Sequence, residues 1–375
     1  MSIHRVTPTA QRVVTGSPTV PRVSVVMAVH DGEQYVGAAV DSVLGQSFRN
    51  FELLVVDDGS ADRSAEIVRE RTDPRVRVLA NDRNIGLARS LNRGLGEARG
   101  ELVARLDADD LCVPDRLLRQ VAFMDANPEI ALAGSWYLEI DADGSVGPRR
   151  SLPVDHWDLR WQLLLSCPFV HSAVIWRRQK VADAVGHYDE RLVYSMDYDL
   201  WRRISERLRV ANLPEYLLHL RVHSASMTAT YGARAREGVR LRAARVASLL
   251  GWPAADVEGN ERRLVQLYNL LLGTPRDRTV REVVSDAGEL IRLHDAFVAS
   301  EIGLPVQEAR RQSRMLRARL ARRMLRASRD APSDERGGAS RMLLLAVADL
   351  APRSLASREG LRACLALVRR RLIGP

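Results

Sequence analysis

The chain has 375 residues, of which 46% are hydrophobic, and a formal net charge of +9. This length accommodates one large domain with an appendage or two domains, and the composition excludes disordered and fibrous proteins. Three widely separated cysteines exclude a disulfide framework and a thiolate zinc site. Lys180 is the only lysine, and no phosphate-loop motif can be written around it, which excludes a P-loop nucleotide hydrolase.

The positive charge is unevenly distributed along the chain. Residues 1–230 contain 28 basic and 31 acidic side chains, whereas residues 231–375 contain 28 and 16. We therefore expect an anionic surface as a partner of the C-terminal part alone.

Neither a membrane span nor a secretory signal is recognisable. No window reaches the roughly 18 consecutive apolar residues of a spanning helix, and the first twenty residues have no apolar signal core. We expect a cytoplasmic protein with a mobile leader over residues 1–20, where Pro8 and Pro18 interrupt any hydrophobic period.

Short apolar runs alternate with helical patterns between Pro21 and Leu106. Strands are predicted at Val23–Val29, Phe51–Val56, Val76–Leu79 and Leu102–Leu106, and helices at Tyr35–Leu44, Ala61–Arg71 and Leu87–Ala98. Solidly apolar strands separated by helices of about ten residues indicate βαβ crossovers. The fold class is therefore α/β, with a mostly parallel, Rossmann-like sheet flanked by helices.

The pattern is more mixed beyond Pro114. Helices are predicted at Arg116–Ala126, Asp155–Cys167 and Asp197–Arg207, and a strand at Ala131–Ile140. After about residue 232 strand signals almost vanish, and the remainder is predicted to be helical. Breaks are expected at Gly251–Pro253, Gly273–Pro275 and Asp330–Ala339.

Carboxylates directly follow two of the predicted strands. Asp57 and Asp58 end one strand, and Asp107, Asp109 and Asp110 end another. Ligands of an open parallel sheet bind at the carboxyl ends of its strands, and carboxylates this close repel one another unless a cation lies between them. Mg²⁺ or Mn²⁺ with diphosphate oxygens meets that need. The alternative is that each cluster only caps the following helix, which explains one cluster better than two.

Three segments together resemble the family-2 inverting glycosyltransferases with the GT-A fold. They are VSVVMAVHDGEQYVGAAVDSVLGQSFRNFELLVVDDGS, NIGLARSLNRGLGEARGELVARLDADD and LPEYLLHLRVHSASM, and the similarity covers about residues 21–228. The resemblance implies a GT-A nucleotide-diphosphosugar-binding domain. Residues 21–115 would bind the nucleotide-sugar, residues 116–232 would form the acceptor-binding and catalytic half, and residues 233–375 would form a helical C-terminal region.

The resemblance also implies roles for individual residues. Asp57 would hydrogen-bond the base of the donor nucleotide, and Asp58 would support that loop. Asp107 would face the ribose, and Asp109 would bind the metal that bridges the diphosphate. His30 lies where the family has an aromatic residue and could lie flat against the base. Asn84–Gly86 and Asn92–Gly94 match a further family pattern, which turn geometry alone also explains.

An inverting transfer needs a carboxylate that takes the proton from the attacking acceptor hydroxyl. The segment YSMDYDLWRR resembles the family's acidic pair at the start of a helix, with Met196 in place of the glutamate. Asp197 is therefore the candidate catalytic base. Asp199 would point about 200° away on a helix, so only one of the two can face the site. The alternative role for Asp197 is a helix cap.

Three histidines, His171, His219 and His223, are further candidate site residues. His219 and His223 have the spacing of a zinc pair on a helix, but the glutamate of H-E-x-x-H is absent, and LLHLRVH is apolar enough to be an edge strand. By resemblance, RVHSASM closes over the donor diphosphate, so Arg221 is expected to contact phosphate and His223 to complete the metal shell. His171 matches a family histidine near the acceptor, although a core role is equally consistent.

Between Gln307 and Arg329 nine arginines stand against one glutamate, with Ala309, Leu316, Leu320 and Met324 on one helical stripe. Such a helix suits an anionic membrane surface. The alternative is a solvated helix packed on the rest of the protein.

These observations predict a metal-dependent, inverting, non-processive glycosyltransferase. It would use Mg²⁺ or Mn²⁺, with a nucleoside-diphosphate sugar as donor and a cell-surface glycan or lipid-linked precursor as acceptor. A nucleotidyltransferase acting on sugar phosphates is the alternative, although HDGEQY offers no triphosphate loop. A nucleic-acid-binding protein is disfavoured because aromatic residues are only 5% and no stacking motif is present.

Overall fold

The computed structural model describes residues 20–224, 236–272 and 279–330. The chain divides into two compact units. Unit 1 runs to Gly238 without Leu164–Ser166, and unit 2 comprises that short segment and the chain from Val239 onward. The predicted leader lies outside the described residues, apart from Val20.

The first half of unit 1 alternates strands and helices, as the apolar pattern predicts. Its elements are β1 (Val23–Val29), α1 (Val36–Leu44), β2 (Phe51–Asp57), α2 (Ser64–Arg69), β3 (Val76–Ala80), α3 (Leu87–Glu97) and β4 (Leu102–Arg105). Strand β1 pairs in parallel with β2 and β4, and β2 pairs in parallel with β3. All residues of β1, β2 and β4 are buried, because helices cover both faces of the sheet.

The second half of unit 1 adds strands of mixed direction. Its elements are β5 (Leu111–Cys112), α4 (Arg116–Ala126), β6 (Ile130–Ile140), β7 (Val146–Arg150), α5 (His156–Leu163), β8 (Ile175–Arg177), α6 (Arg178–Val185), α7 (Met196–Arg207) and β9 (Arg209–Arg221). The sheet order is β3-β2-β1-β4-β8-β6-β9-β5, with β7 beside β6. Strand β8 is antiparallel to β4 and β6. The α/β class is confirmed, but β5, β7, β8 and α6 were not predicted, and α5 is shorter than expected.

Strand β9 corrects one prediction. The segment LLHLRVH was expected at a sheet edge, but β9 lies between β6, to which it is parallel, and β5, to which it is antiparallel. The register aligns Arg221 with Ile140 and His219 with Leu111. The end of β9 therefore lies beside the acidic loop that connects β4 to β5.

Unit 2 is helical in its described part. Its helices are α8 (Arg236–Leu250), whose first residues belong to unit 1, α9 (Val257–Leu271), α10 (Val280–Ser300) and α11 (Val306–Asp330). The predicted break at Gly251–Pro253 separates α8 from α9, whereas the other two expected breaks lie outside the described residues, apart from Asp330. Thr279 and Glu282 form a capping box that begins α10.

Helix α11 packs against α9 and α10. Its predicted apolar stripe is largely buried there, since Leu316, Leu320 and Met324 are at most 5% exposed, although Ala309 is only half-buried. Among the described residues, no helix has the length and apolar character to cross a membrane.

Candidate active site

The loop that follows β2 contains the first acidic pair. Asp57 ends β2, and its Oδ1 accepts a hydrogen bond from the backbone amide of Ser60 at 3.2 Å. Asp58 accepts from the backbone amides of Ile85 and Gly86, each at 2.9 Å. Burial alone would raise the pKa of Asp58, but these bonds and one from Asn81 hold it below its usual value. Asp58 thus fastens its own loop to the Asn84–Gly86 turn.

Close contact between these two loops requires Gly59. Its φ is +68°, and a Cβ at this position would lie 2.4 Å from the carbonyl carbon of Arg83. Any other residue would therefore separate the loop after β2 from the loop after β3.

His30 follows β1 and lies over the same loop. Its Nδ1 is 3.0 Å from the backbone oxygen of Asp58, and its side chain is 40% exposed. Asp31 adopts a φ of 49° and accepts a hydrogen bond from the amide of Ala61 at 2.8 Å. The imidazole therefore contacts the loop that follows β2 and is still accessible to a ligand.

The loop that follows β4 begins with Asp107. Its carboxylate accepts hydrogen bonds from the hydroxyl of Ser172 at 2.6 Å and from the guanidinium of Arg105. Burial would raise the pKa of Asp107, but the charge of Arg105 and these bonds lower it to about 2. Asp107 is therefore ionised at neutral pH.

Asp109 lies beside His223. The distance from Asp109 Oδ2 to His223 Nε2 is 3.0 Å, and the His223 ring centroid lies 5.0 Å from that of Tyr35 with the ring planes tilted by 48°. Burial and the charge of Asp107 raise the pKa of Asp109. The structure thus brings together the two residues predicted to bind a metal.

Arg221 also binds the acidic loop, through both its side chain and its backbone amide. Its Nε donates to the carbonyl of Asp109 and its Nη1 to the carbonyls of Asp141 and Ala142, each at 2.9 Å. Its backbone amide donates to Asp110 Oδ1 at 2.7 Å, and only 7% of the residue is exposed. Arg221 therefore joins the acidic loop to the turn after β6, in addition to any contact with phosphate.

The acidic loop carries more negative charge than its neighbours neutralise. Asp110 Oδ2 is buried without a hydrogen-bond partner in the described chain, and burial with the charges of Asp107 and Asp109 raises the pKa of Asp110 well above its usual value. The described residues contain no cluster of three or more His, Cys, Asp or Glu side chains suited to a metal ion. This donor set fits a hard divalent cation that takes most of its ligands from diphosphate and water.

The two candidate bases, Asp197 and Asp199, have different surroundings in the structure. Asp199 is bound by Arg202 at 2.9 Å and Arg203 at 2.7 Å, and its side chain is 10% exposed. Asp197 interacts electrostatically with Asp107. Burial raises the pKa of Asp197 to about 6, opposed by a hydrogen bond from the amide of Tyr198, and the charge of Asp107 adds to the rise. The residue before α7 is Ser195, so Asp197 lies in the first turn of the helix and is not its cap.

The remaining predicted histidines have other surroundings. His171 Nε2 is 2.8 Å from the hydroxyl of Tyr188, and burial and the charge of Arg105 lower the pKa of His171 to about 3. His219 lies on β9 and His223 beyond its end. Residues four apart on a strand are about 13 Å apart, so a zinc pair of the helical type does not form.

Several residues at the site were missed by the sequence analysis, namely Tyr35, Arg105, Ser172 and Tyr188. Arg105 had a recognisable signal, because it is a charged residue at the end of a solidly apolar strand. The others approach from distant parts of the chain and have no local signature.

The fold and this acidic site define a glycosyltransferase of the GT-A type. The family model for glycosyl transferase family 2 matches residues 24–186. An uncharacterized glycosyltransferase of Haemophilus influenzae is 30% identical over 228 residues, which are 58% of this chain and 70% of the relative. The amylovoran biosynthesis glycosyltransferase AmsE of Erwinia amylovora is 34% identical over 207 residues, which are 54% and 76%. The chain belongs to glycosyl transferase family 2.

A solved structure has the same fold. The crystal structure of S. aureus TarS 1–349 in complex with UDP-GlcNAc aligns with a TM-score of 0.52 and 19% identity, covering 88% of this chain and 89% of that one. The solved structure confirms the expected GT-A fold. The family membership confirms the expected glycosyltransferase activity.

Proposed function

We propose that this chain is a metal-dependent, inverting glycosyltransferase that moves a sugar from a nucleoside-diphosphate sugar to a glycan or lipid-linked precursor of the cell surface. The observation that carries the proposal is the 3.0 Å approach of His223 Nε2 to Asp109 Oδ2 in the acidic loop that follows β4. Burial raises the pKa of Asp197, the proposed base, to about 6. A carboxylate with such a pKa is ionised at neutral pH and is still basic enough to accept a proton.

In this mechanism the acceptor hydroxyl attacks the anomeric carbon from the face opposite the diphosphate. Its proton passes to the carboxylate of Asp197. The bond between the anomeric carbon and the diphosphate oxygen breaks, and its electron pair remains on the departing nucleoside diphosphate. Asp199 does not compete for this role, because two arginines hold its carboxylate.

Asp109 and His223 are the residues that would hold Mg²⁺ or Mn²⁺. The bound cation would stabilise the diphosphate as its negative charge grows in the transition state. The surplus negative charge on Asp109 and Asp110 supports this role, because a cation would relieve their repulsion.

On the donor side, His30 and Asp57 would contact the base, with Asp58 holding their loop. Asp107, held by Ser172 and Arg105, would face the ribose. For Arg221 a phosphate contact would come in addition to its three bonds to backbone carbonyls.

For the acceptor, AmsE is named for amylovoran biosynthesis, which supports a role in polysaccharide assembly here. A single sugar would be added in each encounter. The site would act at the inner face of the cell membrane, with α11 as the peripheral contact.

The test is a donor screen with the full-length protein and Mn²⁺ or Mg²⁺, read as release of free nucleoside diphosphate. We expect release with one class of donor, loss of release in EDTA, and an inverted anomeric configuration in the product. Release that persists in EDTA would contradict the metal requirement. Pyrophosphate formation from a nucleoside triphosphate and a sugar 1-phosphate, without glycosyl transfer, would instead indicate the nucleotidyltransferase alternative.

A further inference from the structure

Three successive backbone amides immediately before α7 converge on one carboxylate, that of Glu237. Its Oε1 accepts a hydrogen bond from the amide of Val193 at 3.2 Å. Its Oε2 accepts from the amides of Tyr194 and Ser195, each at 2.8 Å. Successive amides that point at one anion form an anion-binding nest, and bonds to a charged acceptor are about twice as strong as bonds between neutral groups. A side chain of the protein therefore occupies this nest.

Glu237 reaches the start of α7 from a distant part of the chain. It lies 42 positions after Ser195, in the first turn of α8, and both residues belong to unit 1. Ser195 directly precedes α7, and its carbonyl accepts from the amide of Asp199 at 3.0 Å. The hydroxyl of Ser195 makes no capping bond. Since the first amides of a helix have no partners within the helix, Glu237 satisfies one that the local sequence leaves open.

The position of Asp197, the proposed base, depends on the backbone of this turn. Within the described chain its carboxylate bonds to the backbone, at the amide of Tyr198 at 2.6 Å, and to no side chain. Asp199 differs, because the side chains of Arg202 and Arg203 hold its carboxylate. A displacement of the first turn of α7 would therefore move Asp197 with it.

The loop between α6 and α7 is fixed at two points. Asn92 of α3 donates from Nδ2 to the carbonyl of Tyr188 at 3.0 Å and accepts from the amide of Tyr188 at 3.1 Å. Glu237 holds the second point, next to α7. The side chain of Val193 is 58% exposed, so packing does little to hold the backbone there. The bonds to Glu237 are therefore the main attachment of this end of the loop.

We propose that Glu237 is a positioning residue of the transfer reaction: its carboxylate fixes the backbone of residues 193–195 and thereby sets the position of Asp197 for the attacking acceptor. This inference rests on the proposed role of Asp197 as the base. Misplacement of a reacting group by about 1 Å can lower a rate about 10²-fold, so loss of the contact should appear in kcat. Donor binding should change little, because the residues proposed to bind the donor and the metal lie in other loops.

The experiment compares full-length Glu237→Gln with the parent and with the control Arg240→Gln. Glutamine has one acceptor oxygen in place of two, so at least one of the three amides loses its partner. Arg240 lies further along α8, and its side chain is 64% exposed. Assays use the donor identified by the screen, Mn²⁺ and a soluble acceptor analogue. In Glu237→Gln we expect kcat to fall about 10–100-fold, with the donor KM within about twofold of the parent. Arg240→Gln should keep both parental values.

Hydrogen–deuterium exchange of the protein without ligands is the second readout. The amides of residues 193–199 should exchange faster in Glu237→Gln, and the rest of unit 1 should be unchanged. Parental kcat, parental exchange at these amides, or a parallel rise in the donor KM would each overturn the inference. Faster exchange throughout unit 1 would also overturn it, because a purely structural role predicts that result. If Glu237→Gln does not fold, Glu237→Asp replaces it, since its shorter side chain cannot reach all three amides, and the same outcomes decide.

Failure of the proposed function would give a different result. If Asp197→Asn keeps transfer activity, the base assignment itself is wrong. If Asp197→Asn abolishes transfer while Glu237→Gln keeps the parental kcat, only the role of Glu237 is wrong.

Discussion

Asp109 and His223 are 114 positions apart in the chain, yet their Oδ2 and Nε2 atoms lie 3.0 Å apart. The contact depends on the register of β9, which ends two residues before His223 and pairs through His219 with Leu111, two residues after Asp109. The geometry thus joins the D-x-D segment to the segment RVHSASM, which the resemblance associated with the donor diphosphate.

We first predict that Asp109→Asn abolishes metal-dependent donor binding and leaves the fold intact. The substitution removes the ionised oxygen that would bind the cation, and the side chain is 30% exposed, so little packing is lost. Donor affinity would be measured by calorimetry with and without Mn²⁺. Asp183→Asn, an exposed carboxylate on α6, is the control. Unchanged metal dependence in Asp109→Asn would disprove the assignment.

A second prediction separates the two acidic residues of α7. Asp197→Asn should lower transfer about 10²–10⁴-fold with nearly unchanged donor affinity, because it removes the proton acceptor. Asp199→Asn should mainly lower the melting temperature, since Arg202 and Arg203 then lose their buried carboxylate. Initial rates and thermal melts of both variants test this prediction. Substantial transfer by Asp197→Asn would move the role of base elsewhere.

The pH dependence provides a third prediction. Because Asp197 must be ionised to accept the proton and its pKa is raised to about 6, activity should be full above this pH. It should fall about tenfold per unit below it. Saturating metal is required, since protonation of Asp109 would also weaken metal binding. A kcat/KM profile that is flat between pH 5 and 8 would contradict the prediction.

Helix α11 supports a fourth prediction. Its apolar stripe is largely buried within unit 2, so contact with anionic lipid would depend on its arginines alone. Binding to anionic vesicles should therefore weaken steeply with salt, as the Debye length falls from about 10 Å at 0.1 M to about 3 Å at 1 M.

The matched variant replaces four arginines of α11 by glutamine, namely Arg317, Arg319, Arg322 and Arg323. Vesicle co-sedimentation should fall, and transfer to a soluble acceptor analogue should persist. If the parent protein does not bind anionic vesicles at low salt, a peripheral membrane role for α11 is disproved.

Much of the first half of unit 1 could be predicted, because its signals are local. Strand β1 matches its predicted bounds, since a buried parallel strand is a continuous apolar run. Strands β8 and β9 were harder to predict. β8 has only three residues, and β9 contains Pro214 and lacks a regular alternation of buried and half-buried positions.

The sequence by itself determined the fold class and the positions of the acidic residues, because apolar period and strand-end carboxylates are encoded within a few neighbouring residues. Only the tertiary structure decided which partner each of these residues has. In the structure two arginines bind the carboxylate of Asp199, which leaves Asp197 as the candidate base. Arg221 donates hydrogen bonds to three backbone carbonyls. The tertiary structure also buried Arg105 and paired it with Asp107. Such pairings depend on strand register and loop contacts between distant segments, and those arise only when the chain packs.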